Sequence, residues 1–260
     1  MCFCVSIGAL SAGQGIILKQ SSEDLGSNKT TSTTSYIESD RVATSSTVDG
    51  KQMGFIYLAD GNMMKMIDHS KKTVREMSGE DLEKMMGQVN EAMAKMQEQM
   101  KNMPPQQRAM MEKMMGGRMK EMMGSAAAKP VYKRAEGSAE IGGHSCDWYD
   151  GFRDDKLFAQ LCAAGWNTFD LQASDFAVFQ KMAAFMTKLV PAFAGQAVIG
   201  SDDWEQEQTF PGVPLEQTIY IGGKPHTRTT MESVERGAID DSVFETPAGY
   251  KVEKGVPKMR

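Results

Sequence analysis

Histidine is scarce in this 260-residue chain: His69, His144 and His226 are all there is. None stands beside a GxSxG nucleophile elbow, an HExxH pair or a phosphate-cradling glycine loop, so an enzyme is the weakest of the function classes. No catalytic residue and no cofactor is expected. Positive charge is not in excess either. Twenty-nine Lys and Arg against 34 Asp and Glu leave a net charge of -5, which argues against a general nucleic-acid binder, because neutralising phosphates takes a concentrated basic surface. No segment approaches the roughly twenty apolar residues that span a bilayer.

Cysteine is nearly absent from the body of the chain. The first twelve residues, MCFCVSIGALSA, carry no charge and end in small residues, as the apolar core and cleavage region of a secretory signal peptide do, although the usual basic leader is missing. Residues 1–12 therefore read as the remnant of a signal peptide, with a buried first strand as the alternative, and the mature protein as periplasmic. Cys2 and Cys4 leave with the leader. An even pair, Cys146 and Cys162, then remains in an oxidising compartment and is expected to form a disulfide. His144 and Cys146 in HSCD would share one side of a strand, but a zinc or copper site there needs a reduced Cys162 and a nearby His226, against the export reading.

What the chain has in excess is methionine. Fourteen of its 23 methionines fall between Met77 and Met123. In SGEDLEKMMGQVNEAMAKMQEQMKNM, Ser78 is placed to cap a helix with Asp81 three residues on. Leu82, Met85, Met86, Val89, Met93, Met96, Met100 and Met103 then recur on one helical face. Pro104-Pro105 stops that helix, and the stripe restarts through Met110 to Met123, so residues 78–124 read as a Met-rich αα-hairpin insertion with a weak point at Gly116-Gly117. Flexible, polarizable thioethers serve as ordinary core, as an adaptable lid on an apolar cavity, or as soft Cu(I) ligands. The copper alternative rests on Met111, Met114, Met119 and Met122. A helix lying on a membrane is disfavoured, because the polar face mixes Glu with Lys.

Around this insertion the pattern is that of strands. The polar stretch after the leader reads as a flexible linker over residues 13–35, whose Thr-rich end could open a strand. From Tyr36, short alternating segments are separated by turn chemistry at Ser39-Asp40, Asp49-Gly50, Asp60-Gly61 and Asp68 to Lys71, which describes an antiparallel meander. Three further strands carry turns at Gly142-Gly143 and Asp154-Asp155. A helix capped by Ser174 sets Phe176, Phe179, Met182, Phe185 and Met186 on an apolar stripe. A hairpin around Gly222-Gly223 and a short polar closure, FETPAGYKVEK, complete the chain.

The segments FIYLADGNMMKMIDHSKKTVREM, IGGHSCDWYDGF and FETPAGYK resemble an uncharacterised family of exported Gram-negative envelope proteins, which is similar to the periplasmic lipoprotein carriers and receptors of the Lol type. The resemblance runs from about Tyr36 to Lys251. It implies an α+β fold: a strongly curved antiparallel sheet, an incomplete barrel, packed on helices over an apolar concave face, in one domain over residues 36–251. It implies no catalytic residues, and the Lol carriers have no methionine hairpin of this length. On this basis the expected function is that of a non-enzymatic periplasmic binder of a lipid, lipoprotein acyl chain or other apolar ligand. Its partners would be an apolar small molecule, a lipid or an acylated protein, with no nucleic acid and at most a peripheral membrane contact. The cavity residues would be Phe55, Tyr57, Met64, Met66, Met93, Met96, Met100, Phe179, Met182 and Met186. The alternative is an envelope Cu(I)-binding or metal-handling protein.

Overall fold

Alternation of side chains, interrupted by residues that tolerate positive φ, lays this chain out as two antiparallel meanders joined in the middle. The computed structural model describes residues 13–81, 83, 84, 87, 88, 91, 95, 130–189 and 212–255, the side chains of 186–189 excepted. The first meander comprises β1 (Gly13–Asp24), β2 (Lys29–Ile37), β3 (Arg41–Val48), β4 (Lys51–Leu58), β5 (Met63–Asp68) and β6 (Thr73–Met77). The second comprises β7 (Val131–Ile141), β8 (His144–Arg153), β9 (Lys156–Gly165), β10 (Gly212–Ile221) and β11 (Lys224–Ile239). A last strand, β12 (Lys251–Lys254), pairs with β6 in parallel.

The result is one unclosed, curved sheet in the order β12-β6-β5-β4-β3-β2-β1-β11-β10-β9-β8-β7. Its seam is the long antiparallel ladder from Gly13↔Ile239 to Asp24↔Thr227. Both central residues have positive φ in the turns Asp49-Gly50, Gly142-Gly143, Asp154-Asp155 and Gly222-Gly223, the geometry that follows the right-handed twist of the flanking strands. Asn, Asp and Gly at turn positions therefore do what the sequence pattern asks of them.

Residues 13–35 correct the linker expectation. They form β1 and most of β2, with β1 at the centre of the sheet. The run KTTSTTS carries β-compatible threonines on both faces, and polar composition misreads as a linker where a strand is half-solvated on each side. The sheet therefore takes in Gly13–Asp24 and Lys29–Ile37 at one end of the described chain and Lys251–Lys254 at the other.

The two faces are covered differently. On one, a 3-10 turn (Ala173–Phe176) leads into α1 (Ala177–Leu189). Phe176, Val178 and Phe185 from this segment are buried in one cluster with Ile16, Leu18, Ile37, Val42 and Tyr57 of the sheet. The cap is not Ser174. Gln172, two residues earlier, and Asp175 form a reciprocal capping box, because the chain enters through a 3-10 turn before it becomes α-helical. On the other face, residues 240–250 cross the strands as a strap. Phe244, Val243 and Tyr250 pack over Ala43, Ile56, Ile67 and Val74, so FETPAGYK is a partly buried closure rather than a purely polar one.

A second helix opens at residue 79 and precedes α1 in the chain. Ser78 and Asp81 cap it reciprocally: Ser78 N and Oγ donate to Asp81 Oδ2, and Asp81 N donates to Ser78 Oγ. Those hydrogen bonds, from the Ser78 backbone first, hold the Asp81 carboxyl below its ordinary range. The described residues 80, 83, 84, 87, 88, 91 and 95 of this helix are exposed and carry the i,i+4 pairs Glu80–Lys84 and Glu91–Lys95. The methionine stripe of this helix and the rest of the expected hairpin, through Gly124, lie outside the described residues, as does the leader.

Candidate functional site

The strand register on the α1 side produces three parallel rows of side chains whose polarity rises step by step. The first row, Ile16–Ile37–Val42–Tyr57–Met64–Met77, runs across six strands. All six residues are buried, Tyr57 completely. The second, Leu18–Ser35–Thr44–Phe55–Met66–Arg75, places two hydroxyls and a guanidinium among apolar residues. The third, Gln20–Thr33–Ser46–Met53–Asp68–Thr73, is polar except for Met53, with Thr33 and Ser46 hydrogen-bonded to each other at 2.9 Å. One-residue alternation keeps each row on one face of the sheet, so the gradient follows from register alone.

Cover ends before the apolar surface does. Phe185 of α1 lies over the first row, its ring 6.3 Å from that of Tyr57. Burial raises the Tyr57 pKa, and its hydroxyl donates to Asn62 Oδ1 at 3.1 Å. In the second and third rows, Met66 and Met53 remain 47% and 38% exposed. A cleft of about 530 Å³ opens at the first-row end of β4 and β5, lined by the first turn of the residue-79 helix, by Gly61 and Asn62, and by Lys181, Ala184 and Phe185 of α1.

Of the expected cavity residues, Phe55, Tyr57, Met64, Phe179 and Met182 belong to one apolar cluster. Met66 is the cross-strand partner of Phe55 but is half exposed. Met93, Met96 and Met100 lie outside the described residues, as do the Met186 side chain and the four methionines of the copper alternative, Met111, Met114, Met119 and Met122. Sequence reading missed Leu18, Ser35 and Thr33, because they fell in the segment taken as a linker, and it missed Asn62 and Gly79, whose roles depend on which loop faces which helix.

Cys146 and Cys162 are joined by a disulfide with a Cα–Cα distance of 5.4 Å. The bridge is diagonal: Trp148, not Cys146, is the register partner of Cys162. A thiolate for metal is thereby removed, and His144 packs against Phe169 in a tilted arrangement, 4.7 Å between ring centroids. Among the described residues, no group of three or more His, Cys, Asp or Glu could hold a metal ion. His69 shares a 2.8 Å hydrogen bond with the Tyr250 hydroxyl under the strap. No helix of the described residues is long and apolar enough to cross a membrane.

Fold and site together define a curved, open antiparallel sheet that carries a graded apolar-to-polar face, with α1 packed on its most apolar row. No family model matches the chain, and no curated protein matches it. Among solved structures, it is similar to an uncharacterized conserved protein from Thermus thermophilus, with a TM-score of 0.45, 6% identity, and 92% of this chain and 89% of that one covered. It is also similar to MucB, with a TM-score of 0.39, 10% identity, and 94% and 61% covered. The Pseudomonas aeruginosa MucA/MucB complex matches at a TM-score of 0.36 and 11% identity, with 89% and 56% covered. The chain thus spans under two thirds of the MucB chains, and all of these TM-scores lie below 0.5.

Proposed function

We propose that the protein is a non-enzymatic binding protein of the cell envelope that holds an amphiphile, such as a lipid or the acyl chain of a lipoprotein, against the α1 side of the sheet. The observation that carries this reading is the gradient of the three rows. An acyl chain laid over Phe55 and Met66 meets apolar surface that α1 leaves open, while a polar head reaches the hydroxyls of Thr33 and Ser46. In this reading the curved sheet is an incomplete barrel of lipoprotein-carrier type, and the face with Tyr57 is its concave side. The Met-rich segment supplies adaptable apolar cover, since methionine repacks around ligands of different shape. The buried disulfide supports an oxidising, periplasmic location.

Burial of about ten methylenes supplies on the order of 8 kcal/mol before the cost of ordering the ligand, enough for useful affinity. Native mass spectrometry of protein taken from its own host envelope is expected to show a bound lipid. A fluorescent fatty acid should bind the purified protein, and Met66→Glu should weaken that binding about tenfold or more by placing a charge in the chain's path. Because Met66 is half exposed, the melting temperature should stay unchanged. Protein that carries no extractable lipid and leaves the probe unbound overturns the proposal.

A further inference from the structure

Among the described residues, Phe185 stands between the first row of the site and a cleft. Phe185 lies between the 530 Å³ cleft, which it lines, and the ring of Tyr57, on which it stacks at 6.3 Å. Asn62, a second cleft residue, accepts the hydrogen bond from the Tyr57 hydroxyl. Two of the residues facing the cleft are therefore direct partners of the most deeply buried side chain in the apolar row.

The walls beside that ring are small. Gly61, Gly79 and Ala184 all line the cleft. A Cβ placed on Gly79 would stand 3.3 Å from Phe185 Cε2, closer than an ordinary carbon contact. Glycine is a poor helix former, and Gly79 stands directly after the capping Ser78 without the positive φ that would call for glycine. The close approach of the two helices at Phe185 accounts for it. The rim is polar, with Glu80, Glu83 and Lys181 on it. Glu80 pairs with Lys84 at 2.7 Å, and Lys181 Nζ donates to the Ser39 carbonyl at 3.0 Å.

We propose that this cleft is the entrance by which the acyl chain reaches the row centred on Tyr57, with Phe185 as the ring that turns aside to admit it. The inference rests on the binding function proposed above and adds the route. The competing route runs along the hydroxyl row from the Thr33–Ser46 end, past Met66.

An entrance changes rates in both directions and leaves the equilibrium alone, whereas a ligand contact changes the equilibrium. The experiment is stopped-flow binding of 11-(dansylamino)undecanoic acid to the full chain and to two variants that narrow the cleft, Ala184→Trp at an exposed position of α1 and Gly79→Leu. Association and dissociation are both expected to slow about tenfold with Kd unchanged, as for a gated site. Phe185→Leu, which keeps an apolar side chain but removes the ring, is expected to speed both, and it decides the matter if the narrowed variants prove unstable. Unchanged rates in the folded variants, or a changed Kd at an unchanged association rate, overturn the entrance while the binding function stands. A wild-type chain that does not bind the probe removes both.

Discussion

Asp81 shows how one carboxylate ties a helix to the sheet. It accepts from both the backbone and the hydroxyl of Ser78, immediately after β6 ends at Met77. These bonds favour the charged form and lower its pKa from the ordinary 3.8. A group with a depressed folded-state pKa stabilises the fold above its unfolded value, and that contribution is lost as pH falls through the folded value. Acid titration followed by circular dichroism should therefore show helix signal lost below about pH 4, and Asp81→Asn should remove that part of the pH dependence while lowering helix content at neutral pH. Ser78 and Asp81 were recognisable in the sequence, because a capping box is a local, three-residue-spaced event. The partnership of Tyr57 with Phe185 was not, because the two aromatics stand far apart in the chain and their meeting depends on where α1 lands.

At the scale of elements, the turns were the most legible feature and the polar strands the least. Asp49-Gly50, Asp154-Asp155 and Gly222-Gly223 carry their conformation in their own residue types, whereas Lys29–Ile37 is a strand only because β1 and β3 flank it on both sides. The disulfide belongs to this scale. It links β8 and β9 over a sequence separation of 16, and both cysteines are buried. Replacing both by alanine should cost about 3 kcal/mol through the released chain entropy of a loop of that size. Urea denaturation of the variant, and of wild type with and without reductant, measures it. Because the pair stands on β8 and β9 while Phe55 and Met66 stand on β4 and β5, binding of a fluorescent fatty acid should survive in the folded variant.

For the molecule as a whole, the C-terminal strap decides whether the sheet has one protected face or two. Phe244 is 3% exposed, packs with Ile56, Ile67 and Val74, and lies under the Arg41 guanidinium at 4.1 Å. Arg41 in turn is held by Glu38 and Asp241, and Tyr250 bonds His69. Phe244→Ala should cost about 3–5 kcal/mol, as for other buried aromatic truncations, with a lower urea midpoint at an unchanged slope. Since the strap covers the face opposite α1, the loss should appear in stability and not in the rate of ligand entry.

Local chemistry in the sequence was sufficient for the antiparallel meander from Tyr36, the turns, the apolar stripe of α1, the cap at Ser78 and the pairing of two cysteines on neighbouring strands. Each of these depends on residues close in the chain or on the period of one element. Tertiary structure alone decided that β1 is central rather than part of a linker, that Ile239 and Gly13 close the seam, that the C-terminal segment crosses the far face, and that Phe185 stands between a cleft and Tyr57. Those facts turn on register and on long-range pairing, where shifting a strand by one residue moves its side chains to the opposite face. No local period of the sequence carries that information.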